Sequence, residues 1–338
     1  MIESVEFKNY KALQDTKLPL SPFTLIIGPN GSGKTTALKA IELAAKTASM
    51  KYSRVVSFGH EKDTEGVKVK INWSKTSQIE VVWKDDSQPS AFFLSDNDFP
   101  ESISEKIKKQ FYEKELSKLS QMQIYSFDAT AIARPVNLSP IMYLQENGSQ
   151  LAGVLDQLRD KEPEKFELLN QEVNRLLPEY DRILFDTPDT GQRSFLLRTT
   201  RGKHKVQAED LSTGTLFALA ILTLAYIPDH PPLICIEEPD HGIHPRLLRD
   251  LQDALYRLSY PESVGEKRDP IQIICTTHSP YFLDLFRDHP EEVVIASKKD
   301  GFVTFERLSE RFDIEDILQE SPLSDVWYSG VLGGVPIK

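Results

Sequence analysis

Residues 23–35 read "FTLIIGPNGSGKT", and this stretch decides the fold. The apolar run 23–27 leads into the pattern G-x-x-x-x-G-K-T at 28–35, and the helical pattern "KTTALKAIELAAKTA" follows at once. The three together predict a strand, a glycine-rich loop and a helix, which is the arrangement of a phosphate-binding loop. Glycines let successive backbone N–H groups face a phosphate at the positive end of the helix. The stretch therefore predicts an α/β nucleotide-binding fold.

The residue types of this loop suit a nucleoside triphosphate with Mg²⁺. The Lys34 ammonium is expected to reach the β- and γ-phosphates, and the Thr35 hydroxyl is expected to ligate Mg²⁺. A glycine-rich turn without a ligand is the alternative, and the flanking strand and helix disfavour it. The predicted nucleotide-binding residues are Asn30, Gly31, Ser32, Gly33, Lys34, Thr35 and Thr36.

Two adjacent carboxylates end a second apolar run, "LICIEE" at 233–238. A phosphate loop needs a carboxylate at a neighbouring strand end to hold the hydrated magnesium ion, and a group that activates water. We predict Glu237 as the magnesium-coordinating residue and Glu238 as the general base. A plain solvated strand end is the alternative, because exposed glutamates are common.

A third apolar run, "IQIICTTHSP" at 271–280, ends in polar residues. We predict His278 as a catalytic residue that contacts the γ-phosphate side and orients water, with Thr276 and Thr277 on the floor of the site. A core histidine satisfied by backbone groups is the alternative, and for a lone histidine it is the more common case.

A polar elbow, "DLSTGTL" at 210–216, precedes the apolar helical run "FALAILTLAY". A Ser or Thr before such a run is the ordinary signal for a helix start, since its oxygen accepts a bond from an orphaned backbone N–H. That explanation suffices for the elbow in isolation.

The order of these segments, "GPNGSGKT", "LSTGT", "ICIEEPDHGIHP" and "TTHSP", resembles the ABC-type ATPase heads of the RecF, SMC and OLD-like branch. More narrowly, the chain is similar to the single-head prokaryotic ATPases of the AAA_21 or AAA_15 type. The opening "MIESVEFKNYKAL" and the closing "DVWYSGVLGG" also resemble that subgroup. The resemblance covers nearly the whole chain.

The resemblance implies that two copies sandwich two ATP molecules head to tail. Ser212, Thr213 and Gly214 would then contact the γ-phosphate held by the other copy, and Asp240 and His244 would belong to the D-loop. The chain is therefore expected to be a homodimeric, Mg-dependent ATPase, slow or stimulated by a partner.

Some positions depart from the transporter pattern. Glu237 and His244 stand where transporters carry Asp, as in the OLD-like branch. No clear glutamine loop exists, and Gln121 or Gln123 is a candidate for that role. Tyr10 or Lys11 is a candidate contact of the base or the phosphates.

The order of elements predicts a single head over residues 1–338. Alternating stretches, "GVKVKINWS" and "QIEVVWKDD", indicate an antiparallel sheet near the N-terminus. A helical, charged insertion lobe is expected over 95–180, and parallel-sheet texture returns with "PLICIEEP", "IQIICTTHSP", "EVVIAS" and "GFVTFERL".

Composition excludes several classes of protein. The net charge of −11 opposes whole-surface attraction to nucleic acid. The two cysteines lie in apolar runs and are expected in the core, without a CxxC zinc pattern. No apolar run is long enough to span a bilayer, and no signal-peptide core is present, so a cytoplasmic protein without membrane contact is expected.

The leading hypothesis is an ATP-dependent dimerising switch that controls a partner effector or nucleic-acid sensing. The resemblance implies a role in defence against phage or plasmids, with any nuclease supplied by a partner. The alternative is a DNA-repair or chromosome-maintenance ATPase that clamps DNA directly, which requires a basic groove. A transporter subunit, a P-loop kinase and a non-hydrolysing scaffold rank lower, because none uses all of these motifs.

Overall fold

The computed structural model describes residues 1–46, 66–73, 78–84, 90–94 and 105–333, with backbone alone at 90–94, 105–112 and 320. The first ten residues of the predicted insertion, 95–104, lie outside the described residues. Among the described residues, no helix has the length and apolar character needed to cross a lipid bilayer.

Six of the described strands lie within residues 1–94, and strands are interspersed with helices further on. The strands are β1 (Ser4–Tyr10), β2 (Leu13–Pro19), β3 (Phe23–Ile27), β4 (Val67–Asn72), β5 (Gln78–Trp83), β6 (Ser90–Leu94), β7 (Gln123–Tyr125), β8 (Val136–Asn137), β9 (Tyr180–Asp186), β10 (Gln192–Thr199), β11 (Lys205–Gln207), β12 (Leu233–Glu237), β13 (Gln272–Thr277), β14 (Val293–Lys299) and β15 (Phe302–Arg307).

The helices are α1 (Lys34–Ala45), α2 (Glu105–Ser120), α3 (Ala129–Ala133), α4 (Leu151–Lys161), α5 (Pro163–Leu176), α6 (Thr213–Tyr226), α7 (Pro245–Ser259), α8 (Pro280–Asp284), α9 (Ile314–Glu320) and α10 (Leu323–Ser329). Two of these helices, α4 and α5, lie in the stretch 95–180 that the sequence predicts to be helical.

The chain forms two compact units. The first contains Met1–Gln123, Pro231–Cys235 and Pro270–Lys338, and the second contains Ile124–His230 and Ile236–Asp269. A single head with an insertion lobe over 95–180 stays a prediction.

An antiparallel sheet with the order β2-β1-β4-β5-β6 lies in the first unit. Val67, Val69 and Ile71 of β4 are buried while the lysines between them are half-buried. This alternation matches a sheet with one face on the core. The predicted antiparallel character of the N-terminal region is confirmed.

A six-stranded sheet has the order β15-β14-β3-β13-β12-β7. Within it, β3 lies parallel to both β13 and β14, and all five residues of β3 are buried. Ile27, the last residue of β3, pairs with Thr277, the last residue of β13, so these two strands end together, whereas β14 continues from Ile295, the other partner of Ile27, to Lys299. Loops that leave this edge of the sheet start as neighbours.

The prediction that "GFVTFERL" is a parallel strand is wrong. Strand β15 is antiparallel to β14, with Lys299 opposite Phe302. Asp300 and Gly301 join them, both with positive φ (53° and 86°). A two-residue Asp-Gly turn of this kind makes a hairpin, whereas a parallel crossover needs a dozen residues or more.

The second unit contains a small antiparallel sheet of β11, β10 and β8, with β9 also paired to β10. Helix α6 is buried along almost its whole length. The short helix α3 follows β7, and the Asp128 side chain caps it by accepting a hydrogen bond from the Ala131 N–H at 2.6 Å.

Candidate functional site

The predicted phosphate loop occupies residues 28–33, between the end of β3 and the start of α1. Gly31 and Gly33 have φ values of +78° and +93°, which other residues rarely adopt. A Cβ added at Gly33 would lie 2.8 Å from Val303 of β15, whereas one at Gly31 would meet nothing within 4 Å. Val303 therefore packs against the loop, and sequence reasoning missed this contact.

The Lys34 ammonium is bonded to the loop itself. Its Nζ donates to the carbonyl oxygens of Gly28 at 2.7 Å and Pro29 at 3.1 Å. The side chain is 6% exposed, so a positive charge is held in a nearly buried position beside the loop. This suits the predicted role of Lys34 as a phosphate contact.

His278 lies beside this lysine. Its Nε2 is 3.2 Å from Lys34 Nζ. Because an ammonium group only donates, Nε2 is the acceptor, and the imidazole carries no proton on that nitrogen in this contact. The neighbouring ends of β3 and β13 explain why two residues 244 positions apart meet. The arrangement favours the site position for His278 over a core histidine satisfied by backbone.

The remaining predicted loop residues differ in exposure. Asn30, Gly31 and Thr35 are exposed, and Thr36 is half-buried. Ser32 is 1% exposed, and its Oγ has no hydrogen-bond partner among the described residues. A buried hydroxyl without a partner is costly, so it indicates a place where a ligand oxygen fits.

Glu237 and Glu238 lie at the end of β12, in the second unit. One Glu237 oxygen, Oε1, is buried and has no hydrogen-bond partner within the described part of the chain. An unpaired buried carboxylate oxygen matches the oxygen ligands that Mg²⁺ takes in proteins. Glu238 has φ +49°, a strained conformation for a non-glycine residue, and such strain clusters at functional sites.

Ser212 caps helix α6. Its Oγ accepts a hydrogen bond from the Thr215 N–H at 3.1 Å. The helix begins at Thr213, inside the elbow, directly after this cap. Ser212 and Thr213 are exposed and Gly214 is half-buried. The helix-start reading of the elbow is confirmed, and its role toward a second copy stays a prediction.

The elbow packs on the turn that follows Glu238. A Cβ at Gly214 would lie 2.3 Å from the Gly242 carbonyl oxygen, so the two backbones touch. The ring centroids of Phe217 and His241 are 5.9 Å apart, and His241 Nδ1 is 3.9 Å from Glu238 Oε2. Sequence reasoning missed His241, although its place between "EEP" and a glycine was visible.

The two predicted D-loop residues lie in the same turn. The Asp240 carbonyl accepts from the Ile243 N–H at 3.2 Å, and His244 caps α7 through Nδ1, which accepts from the Arg246 N–H at 3.2 Å. His244 therefore has a structural function as the N-terminal cap of α7, and its contact with a second copy stays a prediction.

The other candidates lie in the first unit. Gln121 is exposed just after α2, and Gln123 begins β7 and is half-buried. Tyr10 is 2% exposed, and burial together with Glu42 raises its pKa to about 12. Lys11 lies over the Tyr10 ring at 5.6 Å. A buried phenol under a lysine is a packing arrangement, so Lys11 is the more accessible of the two.

The predicted residues thus form two groups. The phosphate loop, Lys34 and His278 are together in the first unit. Glu237, Glu238, the elbow and the D-loop residues belong to the second unit. In the first unit, the unpartnered Ser32 hydroxyl and the buried Lys34 ammonium fit the phosphates of ATP, and in the second unit the unpartnered Glu237 oxygen fits a divalent cation.

The comparisons with known proteins agree with this fold. The structure resembles an SMC head bound to the C-winged helix domain of ScpA, with a TM-score of 0.63 and 16% identity over 93% of this chain and 99% of that one. A Pyrococcus furiosus SMC head with an extended coiled coil, bound to the C-terminal domain of ScpA, gives 0.60 and 15% over 95% and 100%. The predicted fold class, an ABC-type ATPase head, is confirmed.

Two curated relatives are nucleases. An OLD nuclease of Thermus scotoductus is 54% identical over 43 residues, which is 13% of this chain and 8% of that protein. The Old nuclease of Escherichia phage P2 is 19% identical over 388 aligned residues, covering 95% of this chain and 63% of that protein. The chain spans less than two thirds of the length of either nuclease.

The model of one protein family matches residues 23–284, from β3 to the end of α8. That segment contains the phosphate loop, the elbow, both glutamates and His278. The chain therefore belongs to the AAA_21 family, described as "AAA domain, putative AbiEii toxin, Type IV TA system", and it is an ABC-type ATPase of the RecF, SMC and OLD-like branch.

Proposed function

We propose that this ATPase is a dimerising switch in which two copies close on two ATP molecules and separate after hydrolysis. One observation carries the proposal: the exposed residues Ser212 and Thr213 stand at the start of a helix that is buried from Thr215 to Leu224. The first N–H groups of a helix, with its positive dipole end, bind anions. An anion held by a second copy explains why this helix start faces outward.

Residues of the first unit would hold the nucleotide. The N–H groups of the phosphate loop and Lys34 would bind the phosphates, and Ser32 Oγ would gain the partner that it lacks. Thr35 and Glu237 would hold Mg²⁺, which neutralises charge that develops on the phosphates. His278, bonded to Lys34 through Nε2, would orient the γ-phosphate side of the site.

Glu238 would be the general base. A carboxylate in this role must lie within hydrogen-bond reach of the attacking water. Glu238 has a positive φ directly after the extended backbone of β12, and the 45% exposure of its side chain leaves the carboxylate open to solvent. Glutamine has nearly the same shape but accepts a proton poorly, so Glu238→Gln would keep ATP bound and stop hydrolysis.

We further propose that the closed pair controls a nucleic-acid-cleaving effector in prokaryotic defence. The two curated relatives are named as nucleases, and the family description includes a putative toxin of a type IV TA system. These names support an effector of that chemistry, acting in trans or on a further part of the protein.

Light scattering tests the switch. The Glu238→Gln protein is measured with and without ATP and Mg²⁺, beside the wild type. We expect its mass to double on addition of ATP, because the pair cannot hydrolyse ATP and separate.

Two variants make the test specific. Ser212→Arg in the Glu238→Gln background is expected to abolish the doubling, since a bulky cation at the elbow blocks the second copy. Thr190→Arg, at an exposed position in the turn between β9 and β10 and away from the elbow in sequence, is the matched surface control and should leave the doubling intact. A mass that ignores ATP in every protein contradicts the switch.

A further inference from the structure

A ring contact joins helix α6 to the turn that follows Glu238. Phe217, in the second turn of α6, lies 5.9 Å from the His241 ring centroid at an angle of 38°. Phe217 is 5% exposed, whereas the His241 side chain is 64% exposed. The phenylalanine is therefore fixed by the core and forms the wall against which the imidazole rests.

The same imidazole faces the carboxylate of Glu238. His241 Nδ1 lies 3.9 Å from Glu238 Oε2, and the His241 N–H donates to the Glu238 carbonyl at 2.9 Å. The side-chain distance exceeds a hydrogen bond by about 1 Å. The turn holds the two residues close enough for a small displacement to form that bond.

The elbow and the turn also touch through their backbones. No side chain separates Gly214 from Gly242, because a Cβ on Gly214 would lie 2.3 Å from the Gly242 carbonyl oxygen. Gly242 has φ +69°, which favours glycine. Packed groups without intervening space transmit displacement, so a shift of the elbow shifts the turn.

We propose that His241 is a positioning residue that couples the orientation of Glu238 to the position of the elbow. The inference rests on the proposed function, in which Glu238 is the base and the elbow contacts ATP on a second copy. When the elbow meets that ATP, its displacement reaches the turn through Gly214–Gly242 and Phe217–His241. Nδ1–H then donates to Glu238 Oε2 and holds the carboxylate in its reactive orientation, which confines hydrolysis to the closed pair.

Steady-state ATPase kinetics test the role of His241. We expect His241→Leu to lower kcat about tenfold or more while the KM for ATP is unchanged, because misplacing a catalytic group by about 1 Å costs up to a hundredfold in rate. His241→Gln retains an N–H donor and is expected to recover most of the loss. In the Glu238→Gln background, His241→Leu should leave the ATP-dependent doubling of mass intact.

Variants of Phe217 provide a second, independent test of the proposal. Phe217→Leu is expected to lower kcat in the wild type and to have no further effect in His241→Leu. Phe127→Leu is the matched control, since the Phe127 ring packs on Phe217 at 5.9 Å. It should leave kcat near the wild-type value. Thermal unfolding of each variant checks that it is folded.

Three results overturn the proposal. The first is a wild-type kcat for His241→Leu, and the second is loss of the ATP-dependent doubling of mass when His241→Leu is added to Glu238→Gln. The third is a double variant, Phe217→Leu with His241→Leu, in which the two reductions of kcat multiply. Failure of the proposed function is seen separately, because it requires no His241 variant: the wild type hydrolyses no ATP and the Glu238→Gln mass ignores ATP. In that case both proposals fall.

Discussion

Substitution of Gly33 is restricted by its positive φ and by a close contact, whereas substitution of Gly31 is restricted by its positive φ alone. Both have positive φ, which penalises any side chain by about 1–2 kcal/mol. Only Gly33 faces Val303, at 2.8 Å from the place a Cβ would occupy. We expect Gly33→Ala to lower the free energy of unfolding by about 1–3 kcal/mol more than Gly31→Ala, as overpacking does. Urea denaturation without nucleotide measures both.

Val303 provides the control for this comparison. Val303→Ala opens space at the contact, so in the Gly33→Ala background it should remove the excess loss once its own cost is subtracted. Equal losses for Gly31→Ala and Gly33→Ala would show that Val303 does not constrain the loop. The contact also explains a limit of sequence reasoning, since the loop was predictable from its pattern and its packing partner, 270 residues away, was not.

Helix α6 shows at the scale of one element what a pattern predicts. The apolar run and the Ser212 cap predicted a buried helix, and the structure confirms it. The strand β15 shows the opposite case. Its apolar texture favoured a parallel strand, but the Asp300–Gly301 turn decides the direction, and this signal stands in the sequence between the two strands. Where the connection between two strands is short, the residues of the turn therefore decide the direction of the second strand, and its apolar pattern does not.

A histidine that follows α6 makes the stability of the protein sensitive to pH through its contact with the last turns of the helix. His230 Nε2–H donates to the Leu224 carbonyl at 2.8 Å. Burial lowers the pKa of His230 to about 4, against the raising effect of that hydrogen bond, and the unfolded chain has the ordinary value near 6.5. Between these values the unfolded chain takes up a proton that the folded chain does not. Stability from this group is therefore complete above pH 6.5 and falls as the pH drops toward 4.

The difference between wild type and His230→Gln isolates this effect. Glutamine keeps an N–H donor for Leu224 but does not titrate. We expect the difference in the free energy of unfolding to change by about 1.4 kcal/mol per pH unit at its steepest, between pH 4 and 6.5. Urea denaturation at several pH values measures it, and a difference that is flat with pH would contradict the buried neutral state.

At the scale of the whole molecule, linear patterns predicted the fold class, which the structure confirms, and they pointed to the residues of the candidate site, which stay predictions. The phosphate loop, the strand-end glutamates and His278 each follow a buried strand, and the meeting of Lys34 with His278 follows from parallel strands that end together. The contact of His241 with Phe217 joins two segments of the second unit and has no local signature. Patterns within a segment could predict residue types, whereas pairs formed by packing required the structure.

Net charge separates the proposed switch from a clamp that grips DNA directly. A clamp must neutralise phosphates with lysines and arginines, and each neutralised phosphate makes binding weaker as salt rises. This chain carries a net charge of −11. We expect the Glu238→Gln protein with ATP and Mg²⁺ to show no binding to a duplex beyond that of the nucleotide-free protein at about 0.15 M salt, measured by fluorescence anisotropy. Lys34→Ala, which loses the phosphate contact, is the control without closure. Binding that appears only with ATP, is absent in Lys34→Ala and weakens steeply between low and high salt would identify a basic groove formed on closure, and the clamp would replace the effector-controlling switch as the function of the dimer.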